Sequence, residues 1–181
     1  MFERLGKLFS SASNEAVATA PSRAWPEEAL AGSPWSVHGI RLGASAKEAA
    51  AALKGLETAE REPLQKPSAL CWRWGPHGMS SVIFRDGRVE EVWGSRLERD
   101  GVALLAQGDG EADLLARLGP PSREFAYSMN SEKHLFFESA PLLLDLTVTT
   151  QDAHGSPAHQ ELFGSTDVVG RLFQVCLKLQ G

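Results

Sequence analysis

The sequence predicts an α+β domain: an antiparallel sheet made of two helix-plus-three-strand-meander units, covered on one face by helices and followed by a C-terminal helix. Three observations predict it. Two stretches punctuated as helices, Gly43 to Gly55 and Gly108 to Gly119, are each followed by three short runs of alternating residues. Asp86-Gly87 separates two of those runs, and Asp-Gly is a strong hairpin signal because both central residues of a type I′ turn need positive φ. Leu142, Leu144, Leu146 and Val148 alternate with Leu143, Asp145 and Thr147, so that strand has one apolar and one mostly wet side.

Residues 1–33 form a tether. Within it Phe2, Leu5, Leu8 and Phe9 share one side of a short amphipathic helix, with Glu3, Arg4 and Lys7 opposite. So short a helix is marginal alone and needs a surface to lie on. Ser10 to Arg23 is rich in Ala and Ser, the composition of a flexible linker. Pro26-Glu27-Glu28 opens a helix, with Pro at its first position and acids in its first turn.

Residues 34–181 make a single domain with half-repeats at about 39–100 and 101–150. In the first half, Ser45 and Glu48 stand at capping-box spacing before a helix from Ala46 to Lys54. Strands then run over Leu70 to Trp74, Met79 to Phe84 and Arg88 to Trp93. In the second half, Gly108-Asp109 caps a helix carrying Leu114, Leu115 and Leu118, and Gly119-Pro120-Pro121 stops it. Strands follow over Arg123 to Ser128, Lys133 to Glu138 and Leu142 to Val148. One offset superposes Trp72 and Trp74 on Phe125 and Tyr127, Phe84 on Phe137 and Val89 on Leu142. After a loop at Gly155 to Gly164, Val168, Val169, Leu172, Phe173, Cys176 and Leu179 form a helical stripe, which predicts a C-terminal helix over 167–179.

Gly43-x-Ser45-x-x-Glu48 through Leu53 and Gly55, with the meander and its Asp-Gly turn before Val89, resembles the repeat unit of the SmpA/OmlA-type barrel-assembly lipoproteins and the beta-lactamase inhibitor proteins. Leu118-Gly119-Pro120-Pro121 is similar to the Leu-Gly-x-Pro ending of the same units. The resemblance spans about residues 39–148. It implies the repeat fold, and a largely non-catalytic role in which an exposed sheet face docks on another protein.

Composition narrows the function. The chain has 18 Lys plus Arg against 23 Asp plus Glu, a net charge of -5, which supplies no field for a phosphate backbone and argues against nucleic acid. No membrane-length apolar run or secretory signal is visible, so the expected compartment is the cytoplasm. Cys71 and Cys176 are too few for a disulfide framework and read as buried thiols. His38, His77, His134, His154 and His159 include no close metal-type pair, and no nucleophile elbow or phosphate loop is present, so neither a metal nor a cofactor nor a catalytic residue is assigned.

The tryptophans are more informative. Trp72 and Trp74 share a strand face, and Trp93 lies on a strand that can neighbour them. They form either the core under the helices or, with Arg73, Arg85 or Arg96, a binding hot spot of aromatic-plus-Arg composition. The expected function is a non-enzymatic protein-interaction or assembly module. Phe2, Leu5, Leu8 and Phe9, together with Trp72, Arg73, Trp74 and Trp93, are its candidate contact residues, and residues 2–9 also offer a peripheral membrane contact. The alternative is a small-molecule-binding or catalytic domain, with a pocket between sheet and helices holding several of Arg123, His134, Glu138 and Asp145.

Overall fold

Alternating apolar residues define the strands, and their pairing builds two antiparallel sheets. The structure is a computed structural model, and the described residues are 25–54, 71–75, 79–127 and 131–180. In chain order they form α1 (Glu27–Ala31), β1 (Trp35–Val37), α2 (Ala46–Lys54), β2 (Cys71–Trp74), β3 (Ser80–Arg85), β4 (Arg88–Gly94), β5 (Arg96–Arg99) and β6 (Val102–Ala106). Then come α3 (Glu111–Leu118), β7 (Arg123–Tyr127), β8 (Glu132–Ser139), β9 (Leu142–Thr149), a short 3-10 helix (Gln151–Ala153), α4 (Pro157–Phe163) and β10 (Leu172–Leu179). One sheet has seven strands in the order β2-β3-β4-β10-β9-β8-β7, the other three in the order β1-β5-β6. Residues 1–24 of the tether, with Phe2, Leu5, Leu8 and Phe9, the 56–69 loop and His77 lie outside the described residues, whereas residues 25–33 of the tether are described and hold α1.

Both half-repeat helices and both meanders are present, although α3 starts from Gly110 without a side-chain cap, and Asp109, expected as its cap, instead accepts the Ala106 backbone N–H at 2.9 Å. The Ser45 hydroxyl and backbone N–H both donate to Glu48 Oε2, at 2.7 and 2.8 Å, which closes the capping box at the start of α2. Asp86 and Gly87 have φ of 52° and 76° between β3 and β4, the two positive angles of a type I′ turn. Asp100-Gly101 repeats the device between β5 and β6, a hairpin the sequence reading does not contain.

The C-terminal helix is a correction, because residues 172–179 form β10. That strand pairs with β4 on one side and β9 on the other and so joins the two meanders. Val175 and Leu177 fill the helix-side face while Gln174, Cys176 and Lys178 face outward. The same apolar residues satisfy both a helical stripe and an alternation, and the two-sided pairing of backbone N–H and C=O groups decides in favour of the strand. The predicted loop at 155–164 is also corrected, since α4 occupies it.

Leu53 of α2, Leu114 of α3, Leu30 of α1, and Val37, Leu97 and Leu105 of the small sheet all pack on the inner face of the large sheet. Their partners there are Val82, Val92, Leu135, Leu144, Leu146, Val175 and Leu177. Fully burying each such aliphatic side chain is worth about 1.5–3 kcal/mol. The cover is thus helices plus a second sheet, where helices alone were expected. Gly94 permits the tight join of the two sheets, since a Cβ there would lie 2.5 Å from the His38 ring and 2.7 Å from Val37 Cγ1.

Candidate functional site

Register decides which candidate residues share a surface. Trp72 stands opposite Val82, which stands opposite Val92, so Trp72 belongs to the inner face, where its ring lies 4.7 Å from that of Phe84. Trp74 is buried on the same side. Arg73 is exposed and pairs across Ser81 to Trp93 on the outer face. The four residues therefore do not form one patch: Trp72 and Trp74 belong to the core side, Arg73 and Trp93 to the other. The reason is the two-residue period, which sends adjacent residues of β2 to opposite sides.

The row through Trp93 crosses the sheet. Trp93 pairs with Cys176, Cys176 with Asp145, Asp145 with Phe136 and Phe136 with Arg123. One step along, Gln174, Thr147, His134 and Phe125 form the next outer row. Leu143, Asp145 and Thr147, expected on a mostly wet side, are buried. β9 is internal to seven strands, and its outward side chains are flanked in register by Cys176 from β10 and by His134 and Phe136 from β8.

Polar partners hold this face together. His134 Nδ1 lies 2.8 Å from Asp145 Oδ1, so the buried carboxylate has a partner. The His134 ring stacks on Phe136 at 5.8 Å and meets Tyr127 edge-on at 5.1 Å. The Arg123 guanidinium sits 3.8 Å above Phe136 and donates to Glu138 Oε1 at 2.9 Å. The structure thus brings together Arg123, His134, Glu138 and Asp145, the four groups of the alternative reading, on the outer face of the large sheet. Burial pushes the Glu132 carboxyl above its ordinary range, with His159 and then His134 pulling the other way. Burial, reinforced by Glu91, pushes the Cys176 thiol well up and keeps it neutral. Cys176 is buried as expected, whereas Cys71 is half-buried.

The residues that the sequence reading missed are on β7. It is the end strand of the seven, and all five of its residues are exposed. Phe125 is 51% exposed and Tyr127 47%, with their rings 4.6 Å apart. The available signal was the alternation Arg123-x-Phe125-x-Tyr127, but the repeat offset equated these aromatics with Trp72 and Trp74. They lie on opposite faces, because a one-residue change of phase turns a strand over.

A separate cavity of about 220 Å³ opens near the end of β2 and is lined by Trp74, Gly75, Met79, Ser80, Ser95, Gln107 and Leu162 of α4. None of Arg123, His134, Glu138 and Asp145 lines it. Among the described residues no three His, Cys, Asp or Glu side chains come together as metal ligands, and no helix is long and apolar enough to cross a membrane.

No protein-family model matches the chain, and no curated protein matches it in sequence. Among solved structures, it is similar to a DUF4309 family protein, YjgB, from Bacillus subtilis subsp. subtilis str. 168, with 12% identity and a TM-score of 0.43 over 85% of this chain and 92% of that one.

Proposed function

We propose that the chain is a non-enzymatic protein-interaction module of the cytoplasm that receives an extended segment of its partner along the outer edge of β7. The exposed aromatic pair on that edge carries the reading: Phe125 and Tyr127 stand half in water on a strand that ends its sheet. An end strand offers unpaired backbone N–H and C=O groups, and proteins ordinarily blunt such an edge with proline, bulges or short length. Here β7 holds its register with β8 over five residues without a bulge.

Stability does not account for the arrangement. The Arg123–Glu138 ion pair is surface-exposed and worth about 0–1 kcal/mol, and the contact of Arg123 with Phe136 about 0.5–1 kcal/mol. Leaving two large rings half exposed forgoes a comparable amount of hydrophobic stabilisation. Backbone pairing along β7 would supply affinity, and alternate apolar side chains of the partner would meet Phe125 and Tyr127. The resemblance of the helix-plus-meander units to SmpA/OmlA-type and beta-lactamase inhibitor repeats, which dock through a sheet face, supports the same role. Phe2, Leu5, Leu8 and Phe9 are assigned a second contact with the partner or with a membrane surface.

The test is recovery of partners from native lysate by the full chain and by a Phe125→Ser/Tyr127→Ser variant with unchanged circular dichroism. Proteins held by the parent chain are expected to be lost from the variant by tenfold or more. Equal recovery by both would remove β7 from the function.

A further inference from the structure

We propose that the partner received by β7 is a second copy of this chain, the two β7 edges pairing antiparallel about a two-fold axis at Phe125. The proposal rests on the reading of β7 as a docking edge and names the occupant of that edge. Which backbone groups the edge leaves open carries it. The Thr150 N–H donates to the Ser131 carbonyl at 2.8 Å, in continuation of the β8–β9 register. Bonded and non-bonded pairs alternate along an antiparallel ladder, so the odd-numbered residues of β8 turn their backbone groups to β9 and the even-numbered ones to β7. The Ser122 N–H reaches the Phe136 carbonyl at 2.7 Å, as that alternation requires. Phe136, His134 and Glu132 stand opposite Arg123, Phe125 and Tyr127, which therefore use their backbone groups on β8. Glu124 and Ala126 direct theirs to the open side.

Two-fold symmetry then fixes the register, because outward groups must meet outward groups. With the axis at Phe125, Glu124 faces Ala126 of the second copy and Ala126 faces its Glu124, each pair exchanging N–H and C=O. An axis at Glu124 would set that carboxylate opposite its own copy, a destabilising like-charge pair. An axis at Ala126 would leave Glu124 facing a residue beyond Tyr127, the end of the strand. The side chains fit the same register. Arg123, Phe125 and Tyr127 lie on the outer face, and residues directly opposite share a face, so the Phe125 rings of the two copies meet at a non-bonded position, where Cα atoms are about 4.5 Å apart. Arg123 faces Tyr127 of the second copy, a cation beside an aromatic ring, once on each side of the axis.

The edge thus asks for an aromatic residue opposite Arg123, an apolar one opposite Phe125 and a small one opposite Glu124, whose carboxylate then has room to reach water. β7 read in reverse, Tyr127-Ala126-Phe125-Glu124-Arg123, is such a segment. All five of its residues are exposed, so the pairing withdraws no side chain from the core. In a second copy the segment is already a strand held by β8, which removes the cost of ordering a flexible peptide. A five-residue edge is small, which places the dimer among weak interfaces, with a Kd of roughly 1–100 μM.

The test is sedimentation velocity of the full chain from about 1 to about 500 μM, which spans the expected Kd. A monomer–dimer equilibrium is expected, and Phe125→Ser/Tyr127→Ser, with unchanged circular dichroism, is expected to weaken it at least about tenfold. Two substitutions of the exposed Ala126 read the register. Each new side chain meets Glu124 of the second copy, a like charge in Ala126→Glu and an opposite one in Ala126→Lys. Ala126→Glu is expected to dimerise about tenfold more weakly than Ala126→Lys at low salt. A monomer at every concentration, dimerisation undiminished in the double variant, or equal association of the two Ala126 variants would each overturn the proposal. A monomeric chain whose lysate partners are still lost in Phe125→Ser/Tyr127→Ser would overturn the second copy alone and leave β7 a docking edge.

Discussion

Glu132 shows how one side chain records its surroundings. It lies at the start of β8, between His134 of its own strand and His159 of α4, and burial raises its pKa above the ordinary value of 4.5. The folded chain therefore holds this proton more tightly than the unfolded chain does. Where the native state binds more protons, stability falls as pH rises. The contribution is most favourable below about 4.5 and is lost as pH climbs through the raised folded value. Glu132→Gln is expected to flatten that part of the profile, measured as urea midpoints of the two proteins over about pH 4 to 7. A profile identical in both proteins would show that this carboxyl titrates as it does in the unfolded chain.

At the same scale, sequence and structure part over side-chain direction. That Trp72 and Trp74 point together, with Arg73 opposite, is legible from strand period alone. That Trp93 joins Arg73 is not, because it depends on the register in which β3 pairs with β2 and β4. The His134–Asp145 contact is likewise a product of register between β8 and β9, and nothing in the spacing of the two residues announces it.

Among the elements, β10 has the largest consequences. Short meander strands, the Asp86-Gly87 turn and the two half-repeat helices carry local signals, and they appear where those signals put them. Residues 172–179 carry both a helical stripe and an alternation, and only the gap between β4 and β9 distinguishes them. The prediction for this element follows from its two-sided pairing. Val175→Asp puts a carboxylate at a fully buried position of a central strand and is expected to lower unfolding free energy by at least about 3 kcal/mol. Lys178→Gln, on the outward side of the same strand, is expected to change it by less than about 0.5 kcal/mol. Urea denaturation measures both. Similar small effects would mean that β10 contributes little to the fold.

For the whole molecule, the same strand joins the two halves into one sheet. β4 of the first half and β9 of the second never pair with each other; each pairs with β10, and the small sheet packs on the common inner face. All 5 tryptophans precede residue 100, so their fluorescence reports on the N-terminal half, whereas far-UV circular dichroism reports on the entire chain. The two signals are expected to trace coincident urea transitions. Separate midpoints would reveal halves that fold independently.

By itself the sequence determined the class of the fold, the Asp86-Gly87 turn and the capping box that opens α2, because capping, turn chemistry and strand period are satisfied within a few residues. It also determined that the chain is acidic and without a metal-type histidine pair. Tertiary structure alone decided that residues 172–179 are a strand, and that Phe125 and Tyr127 reach water while Trp74 does not. Each of these turns on which strands become neighbours and in which register. That choice is made by burying one shared face and pairing every internal backbone group, conditions that no local stretch of residues contains.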